Sequence, residues 1–252
     1  LLREKFAMVL QIHCSGKIVP DITLAEVYEL ILDLIQKDFP NDLIITYGDQ
    51  LFSSELDDSG RTWLIKPHDG RHALYAGYRN TAVSIALLDG DDLVLGVVYA
   101  FNYPDSNGDL ISWAKGDQLR RNDQVVTRNV STVINEESTV LLANLTDQHN
   151  TLAFSSWVSP MRYLTFSSIA YALALVSVGD ADIAVCTSTI YKWKITCGNI
   201  AAGHALLLGA GIELYDEYKK PIRYSRQCIA IKRGLVVGGH LSLIKALPIP
   251  VP

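Results

Sequence analysis

The longest apolar stretches of this chain, residues 169–178 and 200–208, set the first constraint on its fold. Each falls well short of the roughly 20 apolar residues that a helix needs to cross a bilayer. Neither predicts a membrane span, and both read as apolar helices of a globular protein. The first extends over 166–178. The second ends at Gly209-Ala210-Gly211, because glycine supplies the backbone freedom that a helix C-terminus often needs. Earlier in the chain the pattern is different. Residues 81–88 and 93–101 read as antiparallel strands joined at Asp89-Gly90-Asp91-Asp92,. Residues 43–47 and 62–65 read as shorter strands, with 110–115 and 124–127 as further strands of the same sheet. An amphipathic helix is predicted over 24–38, where Val27, Leu30, Ile31, Leu34 and Ile35 recur at helical spacing behind capping side chains at Asp21 and Thr23,. A short helix is predicted over 1–12. After the apolar helices, 181–186, 212–215 and 227–231 read as strands and 239–247 as a closing helix, while 131–158 has no readable period. Strands first, then alternating helices and strands, indicate a layered α/β protein.

Charge and composition remove several functional classes. With 22 Lys and Arg against 27 Asp and Glu in 252 residues, the net charge is −5. That balance argues against a nucleic-acid partner, which needs a basic stripe to neutralise phosphates. A hydrophobic content of 49% is enough for a large core in one compact unit, read as an N-terminal lobe over 1–130 and a C-terminal lobe over 131–252. Cys14, Cys186, Cys197 and Cys228 show no C-x-x-C spacing, which predicts reduced thiols and a cytoplasmic setting. There is no G-x-S-x-G elbow, no phosphate-cradling G-x-x-x-x-G-K and no H-E-x-x-H,. The glycines from Gly203 to Gly211 fall within and after a predicted helix, so they read as helix packing rather than as a dinucleotide turn.

One segment is sharper. Trp63-Leu-Ile-Lys-Pro-His-Asp-Gly70 resembles the strand-to-turn signature W-x-[IV]-D-P-[IL]-D-G-T of the inositol monophosphatase-like family. Ala82-Val-Ser-Ile-Ala86 and Leu95-Gly-Val-Val-Tyr99 resemble the two strands that come after it. Gly198-Asn-Ile-Ala-Ala-Gly203 is similar to the second signature, W-D-x-A-A-G. The helix before Pro40 also matches, so the resemblance runs from about residue 20 to 245. It implies an αβαβα sandwich, a homodimer, and Mg²⁺-dependent hydrolysis of inositol, sugar or nucleotide phosphates.

In that family the metals are held by a loop Glu, two Asp of the first signature and the Asp of the second. Hard cations need such anionic oxygens, and paired metals activate water and stabilise the leaving oxygen. Carried onto this chain, the ligand set is damaged. The bridging Asp is Lys66, the second Asp survives as Asp69, the following Thr is Arg71, and the Asp of the second signature is Asn199. The early Asp that pairs with that Thr falls near Leu24, and the loop Glu has Asp49 or Glu55 as candidates. A unit charge about 4 Å from a divalent ion is worth roughly 8 kcal/mol at an effective dielectric near 20. Replacing a bridging carboxylate by an ammonium loses that attraction and adds repulsion. The usual Mg²⁺ cluster is therefore not expected, and no other cofactor is.

The residues left in its place can move protons or hold anions. Lys66, Asp69 and His68 are the candidate catalytic groups, with Asp69 either a general base or the salt-bridge partner of Lys66. His68 stands where the family has an aliphatic residue that offers only its carbonyl, and its imidazole titrates near neutrality. Arg71, His72, Asn199, Asp49, Glu55 and Lys194 are candidate substrate contacts, and Lys192 adds to the local cations. Asn199 is expected to hydrogen-bond substrate or Lys66. Tyr47, Tyr75, Tyr78 and Trp193 are candidate pocket walls, aromatic residues being core residues by default. Three functions are compatible with this set. The leading one is an enzyme acting on a small polar or anionic substrate by metal-free acid/base chemistry. The others are a non-catalytic pseudophosphatase that binds a sugar- or inositol-phosphate-like ligand or partner, and a residual Mg²⁺-dependent phosphatase.

Overall fold

The computed structural model describes residues 22–46, 60–70, 80–101, 103–104, 107–128, 131–143, 161–187, 195–224 and 234–247, with the side chains of 22–27 excepted. A first sheet runs in chain order through β1 (Leu43–Ile45), β2 (Arg61–Asp69), β3 (Ala82–Asp89), β4 (Asp92–Ala100), β5 (Asp109–Ala114), β6 (Arg120–Arg121) and β7 (Gln124–Val125). Strand β1 is parallel to β2 and every later pair is antiparallel. A second sheet contains β8 (Thr139–Ala143), β9 (Arg162–Phe166), β10 (Ile183–Thr187), β11 (Glu213–Asp216) and β12 (Leu235–Gly239), in the spatial order β11-β12-β10-β8-β9. The helices are α1 (Ile22–Asp38), α2 (Ile169–Val178), α3 (Cys197–Gly209) and α4 (Leu241–Ala246).

Side-chain alternation along β2 determines the layering. Leu64 faces one way, into a core shared with α2, α3 and the second sheet's Leu141, Ala184 and Val236. Its neighbours Trp63 and Ile65 face the other way, against Ile31, Leu32 and Ile35 of α1, as the period of 2 in a strand requires. The second sheet repeats the scheme: Val140, Leu142, Ile183 and Val237 turn outward to Leu243 and Ile244 of α4. The apolar pair α2 and α3 is thus buried between two sheets, which explains why neither helix has a polar face. The result is the αβαβα sandwich that the resemblance implies. No helix among the described residues is long and apolar enough to cross a membrane.

Two buried carboxylates brace the first sheet, and one of them joins it to α2. Asp42, just before β1, accepts from Arg61 Nε at 3.0 Å and Nη2 at 2.8 Å, and from the Trp63 indole at 2.8 Å. Asp109 at the start of β5 accepts a two-pronged contact from Arg121, 2.8 Å in each arm, and the Tyr171 hydroxyl at 2.7 Å. The Tyr171 contact fastens α2 to the first sheet.

Several elements differ from the sequence reading. Residues 235–238, unassigned in the sequence reading, form β12 together with Gly239, which that reading puts in the closing helix; the helix starts at Leu241 with His240 as its N-cap. Residues 162–166 form β9, so α2 begins only after its N-cap Ser168. Strand β8 lies in the stretch where no period is legible. The predicted helix over 1–12 and strand over 227–231 lie outside the described residues.

Helices α2 and α3 approach closely where glycine leaves room. A Cβ on Gly203 of α3 would lie 2.6 Å from Leu173 Cβ and 3.0 Å from the Ala170 carbonyl of α2. Gly203→Ala is expected to lower stability by about 1–3 kcal/mol through overpacking. Gly234→Ala, where nothing lies within 4 Å, should stay within about 0.5 kcal/mol of the parent. Urea unfolding of both variants checks this.

Candidate functional site

The site grows from the end of β2. Up to Lys66 the strand pairs regularly with β3, Lys66 opposite Ser84. The register then shifts across Pro67 and His68 before Asp69 pairs with Ala82. The bulge brings the side chains of residues 66 and 69 together. Lys66 Nζ donates to Asp69 Oδ1 at 2.5 Å, and both residues are buried. The other oxygen, Oδ2, accepts from Ser168 Oγ at 2.7 Å and from the Ala170 backbone N–H at 2.9 Å. Ser168 Oγ in turn accepts from Tyr171 N at 3.0 Å, as the N-cap of α2. Asp69 therefore seats on the positive end of a helix and on an ammonium at once. Burial works to raise its pKa, but the Lys66 charge and the hydrogen bonds from Lys66, Ser168 and Ala170 outweigh it and hold the carboxyl below its usual range.

The turn after Asp69 is tight. Gly70 has φ +84°, and a Cβ there would lie 3.1 Å from the Ser167 and Ser168 backbone. Left-handed backbone and close approach together require glycine. His68 is buried, with its ring centroid 6.2 Å from that of Phe101. Cys186, at the end of β10, is a buried free thiol whose pKa is pushed up by burial and by the Asp69 charge, so it is a poor nucleophile.

Asn199 sits in the first turn of α3. Its Oδ1 accepts from Thr196 N at 3.0 Å and Thr196 Oγ1 at 2.8 Å, while Asn199 N donates to the Thr196 carbonyl at 3.0 Å. Its carbonyl oxygen thus caps its own helix; the bond expected to Lys66 is not among the bonds that the described residues show. Arg71, His72, Asp49, Glu55, Lys192 and Lys194, with Tyr47, Tyr75, Tyr78 and Trp193, lie outside the described residues, as does the side chain of Leu24. Sequence reading missed Ser168, which lies 99 residues from Asp69; only its place before an apolar helix marks it as a cap.

A second buried network lies farther along α3. His204 contacts the Glu213 carboxylate through Nε2 and the Tyr224 hydroxyl, at 3.1 Å, through Nδ1. Arg223 donates to the other Glu213 oxygen at 2.9 Å. Burial would raise the Glu213 pKa, but His204, the Leu214 N–H and Arg223 bring it down to about 2.

Comparison with known proteins agrees with this fold. The model of the inositol monophosphatase family matches residues 17–245. The chain belongs to the inositol monophosphatase family. It is 27% identical over 169 residues to the 3′(2′),5′-bisphosphate nucleotidase CysQ of Escherichia coli K12, a match that spans 66% of this chain and 63% of the nucleotidase. Its fold is that of the IMPase of Thermotoga maritima, with TM-score 0.73 and 19% identity over 96% of this chain and 90% of that one. The inositol monophosphatase of Anabaena (Nostoc) sp. PCC 7120 likewise superposes with TM-score 0.73 and 21% identity, covering 98% and 92% of the two chains.

The family's Mg²⁺ cluster does not fit the donors that the described residues present. An ammonium lies 2.5 Å from the carboxylate oxygen that a metal would need. The partner oxygen is committed to α2, and an amide replaces a carboxylate at residue 199.

The Glu213 contacts have a pH signature. A folded pKa of about 2 against the usual 4.5 means that the stabilisation is complete above 4.5 and lost as pH falls from 4.5 towards 2. The stability gap between the parent and Glu213→Gln, measured by urea unfolding, should be wider at pH 6 than at pH 3.

Proposed function

We propose that this member of the inositol monophosphatase family binds a phosphorylated small molecule at the end of β2, with the Lys66 ammonium supplying the positive charge that divalent metals supply in its relatives. The observation that carries this reading is the buried Lys66–Asp69 pair. Asp69 is kept ionised by Ser168 Oγ and the Ala170 N–H as well as by Lys66, so its negative charge does not depend on the lysine alone. The Lys66 ammonium stands 2.5 Å from Asp69 Oδ1. An incoming phosphate oxygen then shares the ammonium with Asp69, in the role that a charge-assisted hydrogen bond fills at anion sites. In the sequence Arg71 follows Gly70 directly and brings a second cationic side chain.

A carboxylate held below its usual range is a weak proton acceptor, because an efficient general base has a pKa near the working pH. This favours the non-catalytic binding protein over acid/base chemistry through Asp69. Acid/base catalysis by His68 and Lys66 is the second reading. Its support is the position of the His68 imidazole, buried between those two charged residues in sequence.

Calorimetric titration with myo-inositol 1-phosphate and with a nucleoside 3′,5′-bisphosphate separates these readings. Binding should persist in excess chelator, and Lys66→Met should weaken it by about tenfold or more, the worth of a charge-assisted bond. Phosphate release should stay at background with or without Mg²⁺. Metal-free turnover of a ligand that His68→Asn abolishes would instead establish the acid/base enzyme. Binding or phosphate release that appears only with Mg²⁺ would overturn both.

A further inference from the structure

Directly across the sheet from Lys66 stands a hydroxyl with nothing to bond. Ser84 pairs with Lys66 in the register of β2 and β3, as Ala86 does with Leu64. Leu64, Ala82 and Ala86 all belong to the core around α2 and α3. By the period of 2 in a strand, Lys66 and Ser84 stand on that same inward face. Directly opposed residues have Cβ atoms about 4.5–5.5 Å apart. Ser84 is 1% exposed, and its Oγ has no hydrogen-bond partner among the described residues. Buried hydroxyls are nearly always paired, and an unpaired one destabilises the fold. Alanine, the residue at both neighbouring positions on this face of β3, would carry no such cost.

The place of Ser84 supplies a reason for the hydroxyl. Lys66 Nζ lies 2.5 Å from Asp69 Oδ1, and Asp69 pairs with Ala82, two residues before Ser84. Lys66 thus has a charged acceptor farther along its own strand and a neutral one across from it. The charged acceptor is fixed, because Asp69 Oδ2 is bonded to Ser168 and Ala170 of the α2 N-terminus. An anion that shares the ammonium draws it away from Oδ1, and the carboxylate cannot follow.

We propose that Ser84 is a positioning residue for Lys66: its Oγ accepts a hydrogen bond from the ammonium when an anion draws that ammonium from Asp69, and so keeps the charge at the end of β2. A hydroxyl suits this task. Its oxygen accepts, and its hydrogen rotates out of the way. Being neutral, it does not compete with the anion for the positive charge as a second carboxylate would. A bond from a charged donor is stronger than one between neutral groups, so the bond gained in the complex offsets the unpaired hydroxyl of the free protein. This inference rests on the anion-binding role proposed for Lys66.

A double-mutant cycle of Ser84→Ala and Lys66→Met, with Ser84→Thr beside it, tests the role. Two quantities are measured in the presence of chelator: the melting temperature of each free protein and its affinity for inorganic phosphate. Ser84→Ala is expected to melt at or above the parent temperature and to bind phosphate about threefold to tenfold more weakly, the worth of one hydrogen bond. Ser84→Thr, which returns a hydroxyl, should recover that affinity. In the Lys66→Met background Ser84→Ala should cost no further affinity, because no ammonium is left to position. An equal loss in both backgrounds would overturn the proposal, since the hydroxyl would then act on the anion or on the fold without Lys66. Binding that depends on Lys66 and is indifferent to Ser84→Ala would sink the positioning role alone. Failure of the parent to bind phosphate would sink the Lys66 reading and the role of Ser84 with it.

Discussion

The carboxylate of Asp69 joins the first sheet to the helix buried behind it. It ends β2, the strand whose two faces divide the inner core from the α1 layer, and it caps α2, the helix buried between the sheets. A carboxylate so enclosed is tolerable only when fully bonded. Here the partners come from three directions: an ammonium three residues back, a hydroxyl at the N-cap and a backbone amide in the first turn of the helix. Removing any one of them leaves a buried charge short of compensation. The bulge at Pro67 and His68 arises from the same requirement, because a regular strand would send residues 66 and 69 to opposite faces.

That arrangement also determines what the site can hold. In a metal-dependent phosphatase of this fold, carboxylates gather around cations that come from solution. Here the cation belongs to the chain and is tethered at residue 66. Asn199 continues the change: its amide oxygen is turned back onto Thr196 to close the first turn of α3. The Asp69 carboxylate at the end of β2 and the first turn of α3 are thus bonded within the protein.

Features that depend on local pattern are legible in the sequence. Strands β3 and β4 alternate in burial over 84–89 and 95–100 and are readable as such. Lys66, Asp69 and Asn199 stand out because the motifs around them resemble known signatures while their charges do not. Elements without a local signal are lost. Strand β12 is buried at every position and ends in two glycines, so it offers neither alternation nor β-branched length to its end. Strand β9 is exposed at four of its five residues, and its last, Phe166, reads as the start of the apolar helix after it. Contacts far apart in the chain carry no signal at all. Ser168 on Asp69, and His204 between Glu213 and Tyr224, are settled by how the layers stack, and residue spacing cannot convey that.

The claim on which the rest depends is that Lys66 and Asn199 remove the divalent-metal site. Manganese titration followed by electron paramagnetic resonance tests it most directly, because free and protein-bound Mn²⁺ give distinct signals. The parent protein should leave the free-ion signal as it is in buffer. The variant carrying Lys66→Asp and Asn199→Asp should deplete it. Depletion by the parent equal to that of the double variant would contradict a tethered ammonium in place of the metal.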